Sequence, residues 1–358
     1  MISRLKKGNT FCVLPWIEHH TRTDGNQYFC CYAMAPIGTE ESVAITRQKI
    51  LNNEKVLHCE HCYKLEDNNV ISPRQRESAI WLKDSSIRDK FKSEPTYEPV
   101  FFDIRLDNKC NLACISCSPK DSTLWQKELS SPIKRYSQLP DFDKIKKAKK
   151  IYMAGGEPFI IDGCLAIIDF IATHNPDIEL VINTNLTTLP ESAIDSLKKI
   201  KQVSITVSLD AYGKVNEYHR YPLKWEKFTR NLATLYNTGI RIEFNTVIDA
   251  VSIFGLKELN TLEQYASRWD LRILTNPAVL IVENLPLHLR EIALENAESL
   301  KNLKFYATDQ KYKTTVNSLI TSLGKFGNPD ALAEYIQQLD ARRKINHSHY
   351  IGVNLIEA

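Results

Sequence analysis

Hydrophobic residues recur along this chain in two different patterns, one typical of strands and the other typical of helices. From about residue 97 onward, short runs rich in β-branched and aromatic residues are separated by longer segments in which apolar residues recur with helical spacing. This order predicts a parallel sheet with helices between its strands. The predicted strands are 100–106, 150–153, 179–183, 202–209, 241–248 and 271–274, and the clearest predicted helices are 42–51, 77–82, 287–300 and 329–340.

The cysteines and prolines divide the chain into four segments. Residues 1–66 contain five of the nine cysteines, and residues 67–96 are polar and interrupted by prolines, as is typical of a connecting segment. We predict a cysteine-rich module over 1–66, a linker over 67–96, an α/β domain over 97–284 and a helical extension over 285–358.

The composition is that of a globular protein with nearly balanced charge. The 358 residues are 43% hydrophobic, and 46 basic against 43 acidic residues leave a net charge of +3. This balance disfavours a nucleic-acid partner. No apolar run approaches the roughly 18 residues of a membrane span, and no signal-type apolar core follows the first residues. We therefore expect a cytoplasmic protein without a membrane partner, in which clustered cysteines are metal ligands rather than disulfides.

Three cysteines follow the first predicted strand of the α/β domain. Cys110, Cys114 and Cys117 are spaced C-x-x-x-C-x-x-C, so their thiolates can all face one centre. Thiolates suit zinc, copper(I) and iron-sulfur clusters. An ordinary 4Fe-4S cluster or a structural zinc site takes four protein ligands. Three thiolates would therefore leave one iron open to a substrate, whereas a zinc site would need a distant fourth ligand.

This spacing after a strand resembles the cluster motif of the radical S-adenosylmethionine (SAM) enzymes. The resemblance implies a partial (β/α)6 barrel and a 4Fe-4S cluster whose open iron binds SAM. One electron then cleaves SAM to a 5′-deoxyadenosyl radical that abstracts hydrogen. The family usually has an aromatic residue just before the third cysteine, near the adenine, and this chain has Ser116 there.

A second motif ends the second predicted strand of the α/β domain. It consists of Gly155, Gly156, Glu157 and Pro158. Paired glycines let a backbone approach a ligand closely, and a carboxylate accepts hydrogen bonds from an ammonium group. In the radical SAM family this "GGEP" segment binds the amino group of SAM.

Polar residues also end the third and fourth predicted strands. The resemblance places Asn185, Ser208 and Asp210 near the ribose and carboxylate of SAM or near the substrate. Polar residues at strand ends also serve as turn formers and helix caps, so both interpretations stay open. No catalytic side chain is identified by pattern; Cys164 is a weak candidate for a hydrogen donor, and a small buried residue at the start of a helix is the alternative.

The N-terminal cysteines form a pattern of their own. Cys12, Gly25 and Cys30 are followed by the pair Cys59 and Cys62, a spacing similar to the twitch or SPASM auxiliary-cluster module of radical SAM enzymes. The glycine would form a hairpin turn that brings the first two cysteines together. The four thiolates would close a second 4Fe-4S cluster, and a four-cysteine zinc site is the alternative.

Two ambiguities concern the ligands of this module. Cys31 is adjacent to Cys30 and could replace it, and His58 and His61 flank the C-x-x-C pair, where we expect them to face solvent. In the best-known relatives the module follows the catalytic domain, and here it precedes that domain.

These patterns lead to an expected function. We expect an enzyme that cleaves SAM and takes hydrogen from a small molecule, a peptide or a protein side chain, with a flavodoxin- or ferredoxin-type electron donor. The N-terminal cluster would act as an electron relay and give a net oxidation. The alternatives are a redox-neutral enzyme, such as an epimerase or an RNA- or peptide-modifying enzyme, with structural zinc, and a non-catalytic iron-sulfur protein.

Overall fold

The computed structural model describes residues 9–68, 70–93, 95–131 and 139–356. Their single sheet has eight strands in the order β2-β1-β3-β4-β5-β6-β7-β8. All neighbours are parallel except β1 and β2, which form an antiparallel hairpin. The strands are β1 Glu18–Thr21, β2 Gln27–Tyr28, β3 Phe101–Ile104, β4 Lys150–Met153, β5 Glu179–Thr184, β6 Gln202–Ser208, β7 Arg241–Ile248 and β8 Arg268–Ile273.

The sheet confirms the predicted fold class. Strands β3 to β8 coincide with the six predicted strands, although β8 begins three residues early because Arg268 to Asp270 continue its pairing with β7. Strand β2 at one edge and β8 at the other do not pair with each other, so the barrel is open. The N-terminal segment also adds β1 directly beside β3, which the sequence pattern did not predict.

Helices cover one face of the sheet. In β4, Ile151 and Met153 are buried against them, whereas Lys150 and Tyr152 lie on the opposite, half-buried face. We call this opposite face the inner face. In β4, apolar side chains therefore alternate with more polar ones, as one-sided packing on helices requires.

The helices follow the predicted periodicity with shifted ends. Before β3 the helices are Leu14–Ile17, Glu40–Leu51, Glu60–Asp67, Pro73–Trp81 and Ser85–Lys90. From β3 to β7 they are Thr123–Glu128, Phe142–Lys146, Asp162–His174, Glu191–Leu197, Gly213–His219 and Trp225–Asn237. After β8 they are Arg290–Ser299, Lys304–Thr308, Gln310–Leu323, Pro329–Arg343 and Ser348–Ile351. Between β7 and β8 the helical turns are 3-10 turns, Ser252–Gly255 and Lys257–Tyr265.

The segment before β3, from Phe11 to Phe91, has a hydrophobic core of its own. Phe11 packs edge-on against Phe91 at 5.3 Å between ring centroids, and Trp16 does so at 5.6 Å. The hairpin of β1 and β2 turns through Gly25, whose φ is +80°, as the Asp24-Gly25 pair predicted. Among the described residues, no helix is both long and apolar enough to cross a bilayer.

Candidate functional site

The three-cysteine loop lies at the carboxyl end of β3. Cys110, Cys114 and Cys117 are all free and half-buried, and the loop leads into the helix Thr123–Glu128. The indole Nε1 of Trp125 donates to the carbonyl of Cys114 at 2.7 Å, and Ser122 Oγ donates to the carbonyl of Leu112 at 2.5 Å. The helix that follows the loop therefore holds its backbone in place.

The thiols of this loop influence one another and are flanked by a cation. Burial raises the pKa of Cys110 to about 12, with a further rise from Cys114 and an opposing effect of Arg220. Burial also raises the pKa of Cys117. The guanidinium Nη1 of Arg220 lies 3.9 Å from the sulfur of Cys114. A cation at this distance favours the thiolate form that metals bind.

The C-terminal helix Pro329–Arg343 packs against the same loop. Tyr335 Oη donates to the carbonyl of Ile115 at 3.0 Å, and Arg343 Nη2 donates to the carbonyl of Ala113 at 2.6 Å. Arg343 also bonds to Glu128 at 3.1 Å. The sequence pattern predicted the helix but provided no signal for these contacts, because they join residues more than 200 positions apart.

The paired glycines pack against the loop that precedes the cysteines. A Cβ on Gly156 would lie 2.1 Å from the carbonyl oxygen of Lys109, and one on Gly155, whose φ is +119°, would lie 2.9 Å from that of Asp107. The amide of Gly156 donates to the carbonyl of Asp107 at 2.9 Å. The sequence predicted that these glycines allow close approach to a ligand; the approach that the structure shows is to the cysteine loop itself.

Glu157 is completely buried and holds the end of β5. Its Oε1 accepts from Thr184 Oγ1 at 2.6 Å and from the amide of Phe159 at 3.1 Å, and its Oε2 accepts from the amide of Asn185 at 2.6 Å. Burial raises the pKa of Glu157 to about 7, although these hydrogen bonds oppose the rise. Its predicted bond to an ammonium group stays a prediction, and most of its acceptor capacity is already used within the chain.

Asn185 connects Glu157 to the three-cysteine loop. Besides its amide bond to Glu157, its Nδ2 donates to Asn111 Oδ1 at 3.0 Å and lies 3.8 Å from the sulfur of Cys110. Its Oδ1 accepts from Thr187. The two predicted SAM-binding segments and the first cysteine therefore form one hydrogen-bonded network.

Asp210 belongs to a buried network on the other side of the loop. Its Oδ2 lies 2.8 Å from Arg220 Nη2 and 3.1 Å from His219 Nδ1, and His219 Nε2 lies 2.6 Å from Asp249. Burial alone would raise the pKa of Asp210, but the charges of Arg220 and His219 lower it to about 2. Asp210 thus orients Arg220 toward Cys114. The sequence analysis missed both His219 and Arg220, for which no local motif exists.

The remaining predicted residues lie as follows. Ser208 Oγ donates to Asn183 Oδ1 at 3.3 Å at the end of β6. Pro158 is buried at the start of a 3-10 turn. Cys164 is fully buried in the main hydrophobic core, which favours the packing interpretation over that of a hydrogen donor.

The four N-terminal cysteines surround one small pocket. Cys12, Cys30, Cys59 and Cys62 line it together. Cys31 does not line it, and instead the buried carboxylates Asp103 and Glu18 are among the groups that raise its pKa, after burial. The structure therefore brings together the four predicted ligands and separates the two adjacent cysteines.

A buried arginine accompanies this pocket. Arg74 lines the pocket, pairs with the carboxylate of Glu66 and donates to the carbonyl of Phe11 at 2.6 Å. Burial raises the pKa of Cys12, and Arg74 opposes that rise. His61 stacks on Tyr32 with ring centroids 5.7 Å apart, and the Nε2 of His58 lies 3.3 Å from the carbonyl of Pro36. Both histidines are half-buried rather than facing solvent as predicted, because each packs on a neighbouring loop.

Comparison with known proteins shows what the central region is similar to. Residues 104–261 match the family model described as the Radical SAM superfamily. A protein of Campylobacter lari named GTP 3′,8-cyclase is 25% identical over 158 residues, which are 43% of this chain and 47% of that protein. The GTP 3′,8-cyclase of Helicobacter pylori is 24% identical over 176 residues, 48% of this chain and 53% of its own. The chain spans about half the length of the curated relatives that it matches.

Solved structures are more distant. Streptococcus suis SuiB bound to S-adenosylmethionine aligns with 77% of this chain and 60% of its own, at 17% identity and a TM-score of 0.41. A likeness at this level supports no inference about function.

The relatives correct the expected function. We expected hydrogen abstraction that leads to a net oxidation of a small molecule, a peptide or a protein side chain, with the N-terminal cluster as a relay. The name of the relatives instead specifies a ring closure on GTP. On this comparison the expected net oxidation is wrong. The names of the relatives do not support the two alternatives either, which were a redox-neutral enzyme with structural zinc and a non-catalytic iron-sulfur protein.

Proposed function

We propose that this chain, whose residues 104–261 match the Radical SAM superfamily model, is a radical SAM enzyme that closes a ring on a purine nucleotide. The observation that carries the proposal is the three-cysteine loop at the carboxyl end of β3, within the region that matches the family. The relatives named GTP 3′,8-cyclase make GTP the first substrate to test.

The loop fits the cluster that the family implies. The thiols of Cys110, Cys114 and Cys117 are free, and no disulfide consumes them. Within the described ranges, no three cysteine sulfurs lie within 4.8 Å of one another. A tetrahedral zinc site, with bonds of about 2.3 Å, needs sulfurs about 3.8 Å apart. The wider spacing therefore favours a 4Fe-4S cluster, which, when bound with SAM, supplies a 5′-deoxyadenosyl radical.

The surrounding residues would position these groups. Glu157 and Asn185 hold the end of β5 against Cys110, and Arg220 approaches Cys114 from the opposite side. The helix Pro329–Arg343 covers the loop backbone. The chain would thereby shield the reacting centre from water, which a carbon radical requires.

A cavity at the amino ends of β4, β5, β6 and β8, away from the three-cysteine loop, is rich in basic side chains. It has a volume of about 900 Å³, and six basic and four acidic side chains line it. It is lined by the first residues of β4, β5, β6 and β8, and Arg268 has no ion-pair partner among the described residues. The excess of two positive charges is complementary to a phosphorylated ligand, whereas the proposed reaction itself would take place beside the three-cysteine loop.

The test is SAM cleavage with and without GTP. Anaerobically reconstituted protein is incubated with a reductant and SAM, and 5′-deoxyadenosine and any nucleotide product are measured by mass spectrometry. We expect GTP to stimulate 5′-deoxyadenosine formation and to yield a product of altered structure. Cys117→Ala should abolish cleavage, whereas the exposed loop variant Lys120→Ala should retain it. Cleavage that no purine nucleotide stimulates would reject the substrate class, and cleavage by Cys117→Ala would reject the cluster site.

We further propose a second 4Fe-4S cluster on Cys12, Cys30, Cys59 and Cys62, in a twitch-like N-terminal module. The shared pocket and the neighbouring charge of Arg74 support it. Cys30→Ala should lower the iron content by about four per chain, and the adjacent Cys31→Ala should leave it unchanged. Equal iron in wild type and Cys30→Ala, or one zinc per chain lost from Cys30→Ala, would contradict the cluster. The electron donor of flavodoxin or ferredoxin type and the cytoplasmic location also belong to this proposal.

A further inference from the structure

Three ionisable side chains are buried together on the inner face, where β1 meets β3. Glu18 is 2% exposed, His20 is 0% exposed and Asp103 is 2% exposed. Glu18 lies opposite Phe101 and His20 lies opposite Asp103 in the parallel pairing of the two strands. One ligand atom from each of the three side chains lies within 4.8 Å of the other two.

The carboxylate of Glu18 has no hydrogen-bond partner. No described residue donates to either of its oxygens, and neither ring nitrogen of His20 makes a hydrogen bond of good geometry within the described part of the chain. The Nδ1 of His20 lies 3.1 Å from Asp103 Oδ2. A fully buried carboxylate without a donor is costly to keep ionised, so it is stabilised either by a proton or by a bound cation.

The cation beside this group of side chains is hydrogen-bonded to Asp103 rather than to Glu18. Arg105 also contributes to the inner face, but its Nε lies 3.2 Å from Asp103 Oδ1 and its Nη2 lies 3.4 Å from Asp103 Oδ2. Its guanidinium is therefore committed to Asp103. With both carboxyl groups ionised, two carboxylates and one guanidinium leave one negative charge for a cation to balance, with the imidazole of His20 beside it.

We propose that Glu18, His20 and Asp103 bind a divalent first-row metal ion. An imidazole suits zinc and iron, and carboxylates suit manganese, so this donor set selects the harder metals of that series and disfavours copper(I). This metal site differs from both thiolate sites in its ligands, and the inference does not depend on the proposed function. Because Glu18 and His20 lie on β1 and Asp103 lies on β3, the ion would join the cysteine-rich N-terminal segment to the radical SAM domain.

The test compares metal content in full-length, reconstituted protein. Wild type, Glu18→Gln and His20→Gln are prepared with Mn²⁺ in the medium and buffers, because thiolate sites do not favour Mn²⁺. Manganese, iron, zinc and cobalt are counted by mass spectrometry, and acid-labile sulfide corrects for cluster iron. We expect about one divalent ion per chain more in wild type than in either variant. Glu179→Gln, on the same face of β5, is the matched control and should retain the ion.

Thermal stability supplies an independent readout. If the ion is bound, added Mn²⁺ raises the melting temperature of the wild type through mass action and does not raise that of Glu18→Gln. If the side chains bind no ion, removing the unpartnered carboxylate leaves the melting temperature unchanged or raises it. Equal metal content in wild type and Glu18→Gln, together with a Glu18→Gln variant as stable as wild type, would overturn the proposal.

Discussion

Arg343 donates a hydrogen bond of 2.6 Å to the main-chain carbonyl of Ala113. It thereby joins the last turn of the helix Pro329–Arg343 to the loop that carries the three cysteines. The same guanidinium lies 4.9 Å from the ring centroid of Trp125, whose indole bonds to Cys114. The C-terminal extension therefore helps to hold the three-cysteine loop in place.

Replacing Arg343 should loosen this loop. Arg343→Ala removes a buried ion pair with Glu128 and leaves the Ala113 carbonyl without its donor. We expect a loss of about 3 kcal/mol in the free energy of unfolding and less bound iron per chain. Urea denaturation and iron analysis measure both. Arg342→Ala is the control, since Arg342 lies 3.9 Å from Glu128 and is more exposed. Equal effects of the two variants would contradict the role of Arg343.

The charge of Arg220 should influence the electron affinity of the 4Fe-4S cluster that we propose on the three-cysteine loop. Its guanidinium lies 3.9 Å from the sulfur of Cys114, and a nearby positive charge stabilises the reduced form. Arg220→Gln should therefore make the midpoint potential more negative, as measured by a redox titration followed by electron paramagnetic resonance.

Arg220→Lys is the companion variant, because it retains the charge and loses the planar fork. Its potential should lie closer to that of the wild type. An unchanged potential in Arg220→Gln, with the iron content intact, would show that the charge has no effect.

A methyl group at Gly156 should displace the cysteine loop. The Cβ of an alanine would lie 2.1 Å from the carbonyl oxygen of Lys109, and a backbone group cannot move aside cheaply. We expect Gly156→Ala to destabilise the protein by about 3 kcal/mol or more and to lower the iron content. Gly324→Ala is the control, because its nearest neighbour would be 3.3 Å away. Thermal melts that coincide for the two variants would refute this explanation.

Glu157 should make the stability of the protein depend on pH. Burial raises its pKa from 4.5 to about 7 in the folded chain, so the folded state holds its proton more tightly than the unfolded state does. The contribution is fully present below the unfolded value of about 4.5 and is lost as the pH rises through about 7, with a limit of about 3 kcal/mol.

The variant Glu157→Gln tests this dependence because it cannot ionise. The free energy of unfolding of the wild type should fall relative to that of Glu157→Gln as the pH rises from about 5 to about 8. Glu179→Gln provides the comparison for an acid elsewhere on the sheet. A difference that stays constant across this range would contradict the raised pKa.

Local sequence patterns were sufficient to predict strands β3 to β8. The alternation in 241–248 and the β-branched run in 202–209 predicted β7 and β6 almost to the residue, because strand formation and one-sided burial both leave a period of two. The same patterns could not predict β1. It is short, and its run Glu18-His19-His20 contains no apolar residue that marks a buried face.

Local sequence patterns also could not predict contacts between residues that are distant in sequence. Cys30 and Cys31 are neighbours in sequence, and only the packing of the N-terminal segment shows that Cys30 shares a pocket with Cys12, Cys59 and Cys62. Arg220 reaches Cys114 because the helix Gly213–His219 ends beside the loop. Neither contact has a signature within one element.

The sequence by itself determined that three cysteines lie on one loop after a strand, and it predicted the parallel order of β3 to β8. Spacing within a loop and alternation within a strand are local properties that the backbone preserves on folding. Only the tertiary structure decided that Glu18, His20 and Asp103 meet, that Glu157 is held by β5, and that Arg343 supports the loop. Those contacts depend on which strands become neighbours and on where distant helices pack, and the free energy that selects them is shared over the whole core.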